Sequence, residues 1–219
     1  MQINGGLQKK LAFLGMALAV LGGLSLLVYD FLTPNAVVPV KLARVTIPEG
    51  FNVRQIAGRL EEAGLFPAGD FAKLAQSEEG FLFPDTYEFY GHAGPEEVVL
   101  KMKENFLKKV GPEVTRDVII MASLLEEEAA KTEDRKIISG ILWKRLEAGM
   151  ALQVDAEPDT YDYLGFPPGP ISNPGLDAIE AALNPKLSPF WYYLSDKEGN
   201  IHYAKTFEEH KQNRLKYLR

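Results

Sequence analysis

Residues 11–29 (LAFLGMALAVLGGLSLLVY) form an unbroken run of nineteen uncharged residues. At about 1.5 Å of rise per helical residue the run is roughly 28 Å long, close to the hydrocarbon thickness of a bilayer at about 30 Å. Such a segment constrains the whole chain, because whatever follows it lies on the far side of a membrane. Lys9 and Lys10 precede the run and Asp30 follows it. The excess of basic residues places residues 1–10 in the cytoplasm and the remainder outside it. The run is longer than the apolar region of a cleaved leader, and no small-x-small cleavage site follows. The expectation is therefore a single-pass signal anchor over residues 11–29.

Composition gains meaning once the chain is divided there. Beyond residue 29 it has 22 basic and 30 acidic residues, a formal charge of −8. An acidic ectodomain argues against nucleic acid as a partner, which calls for basic surplus. The chain has no cysteine, so thiol nucleophiles and thiolate-bound metals are excluded. His92, His202 and His210 lack metal-ligand spacing, and no phosphate-binding glycine loop or serine elbow occurs. Neither a metal nor a cofactor is expected, and carboxylates are left as the natural catalysts.

After a Pro-containing linker at 30–39, the pattern predicts an α+β architecture. Residues 41–47 read as a strand, and residues 48–50 (Pro-Glu-Gly) as a turn. Val53, Ile56, Ala57, Leu60 and Ala63 stand at helical spacing, with Gly64 as the stop. Asp70 is placed as the cap of a short helix burying Phe71, Leu74 and Ala75. This strand–helix–helix unit over residues 40–78 resembles a LysM-like glycan-binding module, and residues 79–219 form the second domain. Residues 79–90 read as a strand–turn element interrupted by Pro84. Residues 95–110 form an amphipathic helix with Val98, Val99, Met102, Phe106 and Val110 inward.

The next helix, over about 112–131, carries the chemistry. At 100° per residue Val114, Val118, Met121, Ala122, Leu125 and Ala129 fall within an arc of about 100°. Glu126 and Glu128 lie just beyond its two edges, and Glu127 points to solvent. A carboxyl at the edge of an apolar stripe is partly desolvated, which raises its pKa and suits it to general acid work. Periodicity does not choose between Glu126 and Glu128. Thr132 or Asp134 is placed as the cap of a following helix, with Ile137, Ile138, Ile141, Leu142 and Leu146 inward and Gly149 as its end. Residues 152–174 form a long Pro/Gly/Tyr-rich loop, a common location for function. Asn173 is expected to cap a helix running to about residue 183. A hairpin over 190–205 and a terminal helix opened by Thr206 and Glu209 complete the chain.

Several of these segments, in this order, resemble the YceG/MltG family of endolytic murein transglycosylases. They are residues 80–87 (GFLFPDTY), 122–128 (ASLLEEE), Arg145-Leu146 with 149–155 (GMALQVD), 165–175 (GFPPGPISNPG), 181–185 (AALNP) and 206–210 (TFEEH). The anchor and the LysM-like unit match the family's layout. The resemblance implies that Glu126, the first glutamate after the Ala-Ser-aliphatic pair, is the catalytic acid. It also implies that Glu128, Gln153, Asp155, Tyr161 and Asn173 line a glycan cleft. Between Asp155 and the Pro-Pro-Gly-Pro segment the family usually has a longer loop, cut in this chain to a remnant at Asp159-Thr160-Tyr161.

The implied reaction is non-hydrolytic cleavage of the β-1,4 bond between N-acetylmuramic acid and N-acetylglucosamine in nascent peptidoglycan. It leaves 1,6-anhydro ends, uses no cofactor, and works at the outer face of the bacterial cell membrane beside cell-wall synthases (penicillin-binding proteins). The alternatives are a hydrolytic glycosidase pairing Glu126 with Glu128, Glu133 or Asp155, and a catalytically silent glycan-binding scaffold.

Overall fold

The computed structural model describes residues 42–218 and residue 16. The chain divides into two units, Met1–Val40 and Lys41–Arg219. Apart from Met16, the expected membrane span lies outside the described residues. Among those residues no helix is long and apolar enough to cross a membrane.

The second unit is a mixed α+β structure. It opens with β1 (Leu42–Thr46), α1 (Val53–Glu62), α2 (Ala68–Ala75) and β2 (Thr86–Tyr90). The two strands pair antiparallel, Leu42 opposite Tyr90 and Thr46 opposite Thr86. At the start of α1 the Asn52 side chain accepts from the Gln55 amide, and the Gln55 side chain accepts from the Asn52 amide. This reciprocal pair satisfies two otherwise orphaned donors. α2 begins after Pro67, so Asp70 sits inside its first turn and does not cap it. Phe71 and Ala75 are buried, whereas Leu74 is 41% exposed. That is a correction to the expected inward face: the shallow helix buries only one narrow edge.

The next helix, α3 (Pro95–Val110), buries Val98, Met102 and Phe106 as its spacing predicts. Val98 and Met102 join the core formed by Val45, Ile56, Leu60, Phe71 and Tyr87. β2 and the first half of α3, both from beyond residue 78, therefore pack with the strand–helix–helix unit.

A second core is built by α4 (Arg116–Glu128), α5 (Thr132–Glu147) and α6 (Leu176–Leu183). α4 starts later than the pattern suggested, because Thr115 caps it by accepting from the Val118 amide. Every residue from 119 to 125 is buried. The apolar stripe is thus a projection of a helix enclosed along its middle, and only its two ends emerge. α5 follows Lys131, with neither Thr132 nor Asp134 capping it. At Gly140 a Cβ would lie 2.1 Å from the Lys186 carbonyl oxygen, so only glycine lets the segment after α6 lie against α5. α6 begins after Gly175 and has no side-chain cap. Asn173 stands two residues earlier, with a different function. The antiparallel hairpin β3 (Tyr192–Ser195) and β4 (Ile201–Ala204) and the terminal helix α7 (Phe207–Tyr217) complete the fold. Thr206 accepts from the Glu209 amide at the start of α7.

Candidate active site

The last turn of α4 places its three glutamates in three environments. Glu127 is exposed. The Glu126 side chain is only 7% exposed, and both of its oxygens are engaged. Oε1 accepts from Arg135 Nη2 at 2.6 Å and Oε2 from the Gly175 amide at 2.9 Å. Burial pushes its pKa up, against the opposing pull of the Gly175 amide and the Arg135 guanidinium. Arg135, buried on the first turns of α5, also binds Asp177 through Nη1 at 2.7 Å and the Ala129 carbonyl through Nε at 2.8 Å. One guanidinium therefore fixes the end of α4 to the start of α6, through charge-assisted contacts.

Glu128 lies in a cleft of about 400 Å³. Its walls include Gln153, Asp155 and Tyr161 from the loop after α5, Arg145 from α5, Tyr193 from β3, and His210 and Arg214 from α7. Burial raises the Glu128 pKa, and the Asp155 carboxylate adds to the rise; a long contact of 3.4 Å from the Ala156 amide opposes it. The neighbouring Tyr193 hydroxyl is shielded from solvent and faces the Glu128 carboxyl in a loose hydrogen-bond contact, which also pulls the Glu128 pKa down. Burial, then the Glu128 carboxylate, holds that phenol far above its usual range.

The shortened loop is closed by a tight turn. The Glu157 amide donates to the Val154 carbonyl at 3.1 Å. Thr160, fully buried, accepts from the Val154 amide at 2.9 Å and donates to the Glu157 carbonyl at 2.7 Å. Gln153 is held at φ +52°, alone in the left-handed region among described residues other than glycine. A non-glycine residue there costs about 1–2 kcal/mol, and such strain recurs at functional sites. The Tyr161 hydroxyl donates to Asp155 at 2.5 Å, and burial followed by that bond pushes its pKa to about 12.

Of the six residues expected at the site, Glu128, Gln153, Asp155 and Tyr161 come together in this cleft, and Glu126 and Asn173 are not among its lining residues. Asn173 is fully buried. Its Oδ1 accepts from the Gly80 and Leu82 amides, both at 2.9 Å. Its Nδ2 donates to the Phe51 carbonyl at 2.9 Å and to Glu79 at 2.6 Å. The side chain thereby clamps three chain segments.

Sequence reasoning gave no site role to Arg135, Arg145, Tyr193 or Arg214, although Arg145 stands in a segment that carries the resemblance. A signal existed for the two α5 arginines. On a helical projection Arg135, Ile138, Leu142 and Arg145 fall within an arc of about 80°, so both cations lie on an apolar stripe.

The chain matches the YceG-like family over residues 27–158 and 159–216. It belongs to that family. The family match is broken between residues 158 and 159, beside the closed turn. Curated relatives include an endolytic murein transglycosylase of Streptococcus pneumoniae, 29% identical over 242 residues, covering 78% of this chain and 44% of the relative. Another, from Bacillus subtilis, is 30% identical over 172 residues, covering 64% and 48%. The chain thus spans less than half the length of these curated relatives. A crystal structure of a YceG-like protein from Listeria monocytogenes is similar at a TM-score of 0.68 with 28% identity, covering 78% of this chain and 75% of that one.

Proposed function

We propose that this YceG-like chain is a membrane-anchored endolytic peptidoglycan lytic transglycosylase, and that Glu128 is its acid–base residue. The reading is carried by one observation: a partly desolvated glutamate with a raised pKa, at the wall of a cleft that also gathers Gln153, Asp155 and Tyr161. The names of the curated relatives support the reaction class. The family resemblance favoured Glu126. Burial raises the pKa of both carboxyls, and the cleft favours the neighbour, because Glu128 lines it and Glu126, held by Arg135 and the Gly175 amide, does not. Glu126 instead holds the turn from which Glu128 projects.

Protonated Glu128 donates to the glycosidic oxygen between N-acetylmuramic acid and N-acetylglucosamine, and the C1–O bond breaks. The resulting carboxylate takes the proton of the muramoyl 6-hydroxyl, whose oxygen bonds to C1 and closes a 1,6-anhydro ring. Proton and electron pairs balance without water, and one carboxyl serves both steps, unlike the paired carboxylates of hydrolases. Because the acid must start protonated, the rate falls as pH rises through the Glu128 pKa, which lies above the ordinary 4.5. Cleaving nascent strands in this way terminates their elongation. Residues 11–29 anchor the enzyme at the outer face of the bacterial cell membrane, beside penicillin-binding synthases. The strand–helix–helix–strand order of β1, α1, α2 and β2 supports reading that unit as LysM-like and glycan-binding.

Digestion of purified peptidoglycan by the full chain, with product masses, tests the proposal. Anhydro ends are expected from the wild type and are lost in Glu128→Gln with the fold intact. Products heavier by one water indicate a hydrolase. Binding to sacculi with nothing released indicates a silent scaffold. Wild-type cleavage by Glu128→Gln, with activity lost in a folded Glu126→Gln, returns the acid to Glu126.

A further inference from the structure

The cleft has an unexplained half. Arg145 is only 3% exposed, yet its hydrogen-bond partners are two carbonyl oxygens, of Trp191 at 2.9 Å and Leu152 at 2.5 Å. No carboxylate pairs with it among the described residues. A buried guanidinium without a counter-ion is costly and is ordinarily paired. A further orphan, the buried Nδ1 of His210, belongs to a residue of the same cleft, where the shielded Tyr193 hydroxyl has Glu128 alone as a neighbouring partner. Buried polar atoms are nearly always hydrogen-bonded, so such exceptions call for a reason. Arg214, one turn beyond His210 on α7, lines the cleft with an exposed side chain.

Charge narrows what fits. With Glu128 protonated, the ionised groups of the lining are Asp155 against Arg145 and Arg214. Asp155 is engaged by the Tyr161 hydroxyl. One added negative charge makes the lining neutral. A planar carboxylate also matches donors of this kind: guanidinium N–H groups, a phenol O–H and an imidazole N–H.

We propose that Arg145, Tyr193, His210 and Arg214 form a subsite for a carboxylate, and that its ligand is a free carboxylate on the peptide stem of a muramoyl residue. The inference rests on the transglycosylase reading for the identity of the glycan, and it adds a determinant to that reading. The enzyme then selects strands by the chemistry of their stems as well as by their sugars. Stems whose carboxyls are amidated, or strands stripped of stems, lack the charge the subsite neutralises.

Titration calorimetry on the full chain carrying Glu128→Gln tests this without turnover. The glutamine stands in for the protonated acid. Three ligands are compared: short glycan strands with free-acid stems, the same strands with amidated stem carboxyls, and strands without stems. The free-acid strand is expected to bind about tenfold tighter than the other two, the scale of one charge-assisted hydrogen bond. Adding Arg214→Gln, an exposed position that the fold tolerates, is expected to bring the ratio close to one, and His210→Gln to lower it. Equal affinity for all three ligands, or a loss in Arg214→Gln shared equally by all three, overturns the proposal. So does failure to bind any of them. If stem discrimination persists while the wild type cleaves nothing, the subsite stands and the transglycosylase reading falls. If cleavage occurs without discrimination, the subsite alone falls.

Discussion

Replacing Asn173 by alanine separates a clamp from a ligand. The side chain is fully buried and holds four partners, the Gly80 and Leu82 amides, the Phe51 carbonyl and the Glu79 carboxyl. Alanine strands two amide donors in positions already closed to water, since residues 80 and 82 are both buried. A buried unsatisfied donor costs about 1–3 kcal/mol, so the loss is about 2–6 kcal/mol, a large part of the roughly 5–15 kcal/mol that holds a domain. At about 2–4 °C per kcal/mol for a chain of this size, the thermal midpoint falls by on the order of 10 °C. Circular dichroism melts of the full chain measure it. Asn173→Asp sharpens the test. It keeps the acceptor oxygen but sets a second carboxyl beside Glu79, whose pKa burial already raises. A further rise in a folded-state pKa gives stability that is present below the unfolded value and lost as pH rises through the folded one. The deficit of Asn173→Asp relative to wild type is therefore largest at neutral pH and shrinks as pH falls into the carboxylate range. A loss below about 1 kcal/mol in Asn173→Ala, with a raised KM for glycan, refutes the clamp and restores the ligand role that the sequence suggested.

Three further outcomes follow from the same geometry. Arg135→Met leaves the Glu126 carboxylate buried without its cation and is expected to cost about 3–5 kcal/mol in chemical denaturation; adding Glu126→Gln recovers part of it, because no charge is then stranded. Gln153→Gly relieves the left-handed conformation and raises stability by about 0.5–1 kcal/mol after the entropy of glycine is counted, while strand cleavage slows because the amide is gone from the cleft; unchanged cleavage removes Gln153 from the site. Gly140→Ala drives a methyl into the Lys186 carbonyl and lowers stability by about 1–3 kcal/mol, whereas an unchanged melting midpoint shows that the contact relaxes freely.

Periodicity made α3 legible, because it has one buried and one wet face, and the turn residues 196–200 marked the β3–β4 hairpin. It misdescribed α4, since a helix enclosed over residues 119–125 has no wet face to define a stripe. Gln153, Asp155 and Tyr161 were legible as a group because the family resemblance marks that one loop. Arg145, Tyr193 and Arg214 reach the same cleft from three other elements, and only tertiary packing brings them there. Asn173 was recognisable as important, but its role depends on main-chain amides of Gly80 and Leu82. Backbone donors are the same at every position and leave no mark in a residue pattern. Glu126 likewise has Arg135 and the Gly175 amide as partners, which spacing does not reveal.

The turn at Val154–Glu157 is stapled by Thr160 on its inner side, and the family match parts within two residues of it. Loop closure costs only about 0.6 kcal/mol for each doubling of length, so sequence inserted there burdens the core little. This point is a graft site. Segments of different length placed at it would re-roof the cleft while Thr160 keeps the floor unchanged, and a set of clefts with different reach could be built on one scaffold.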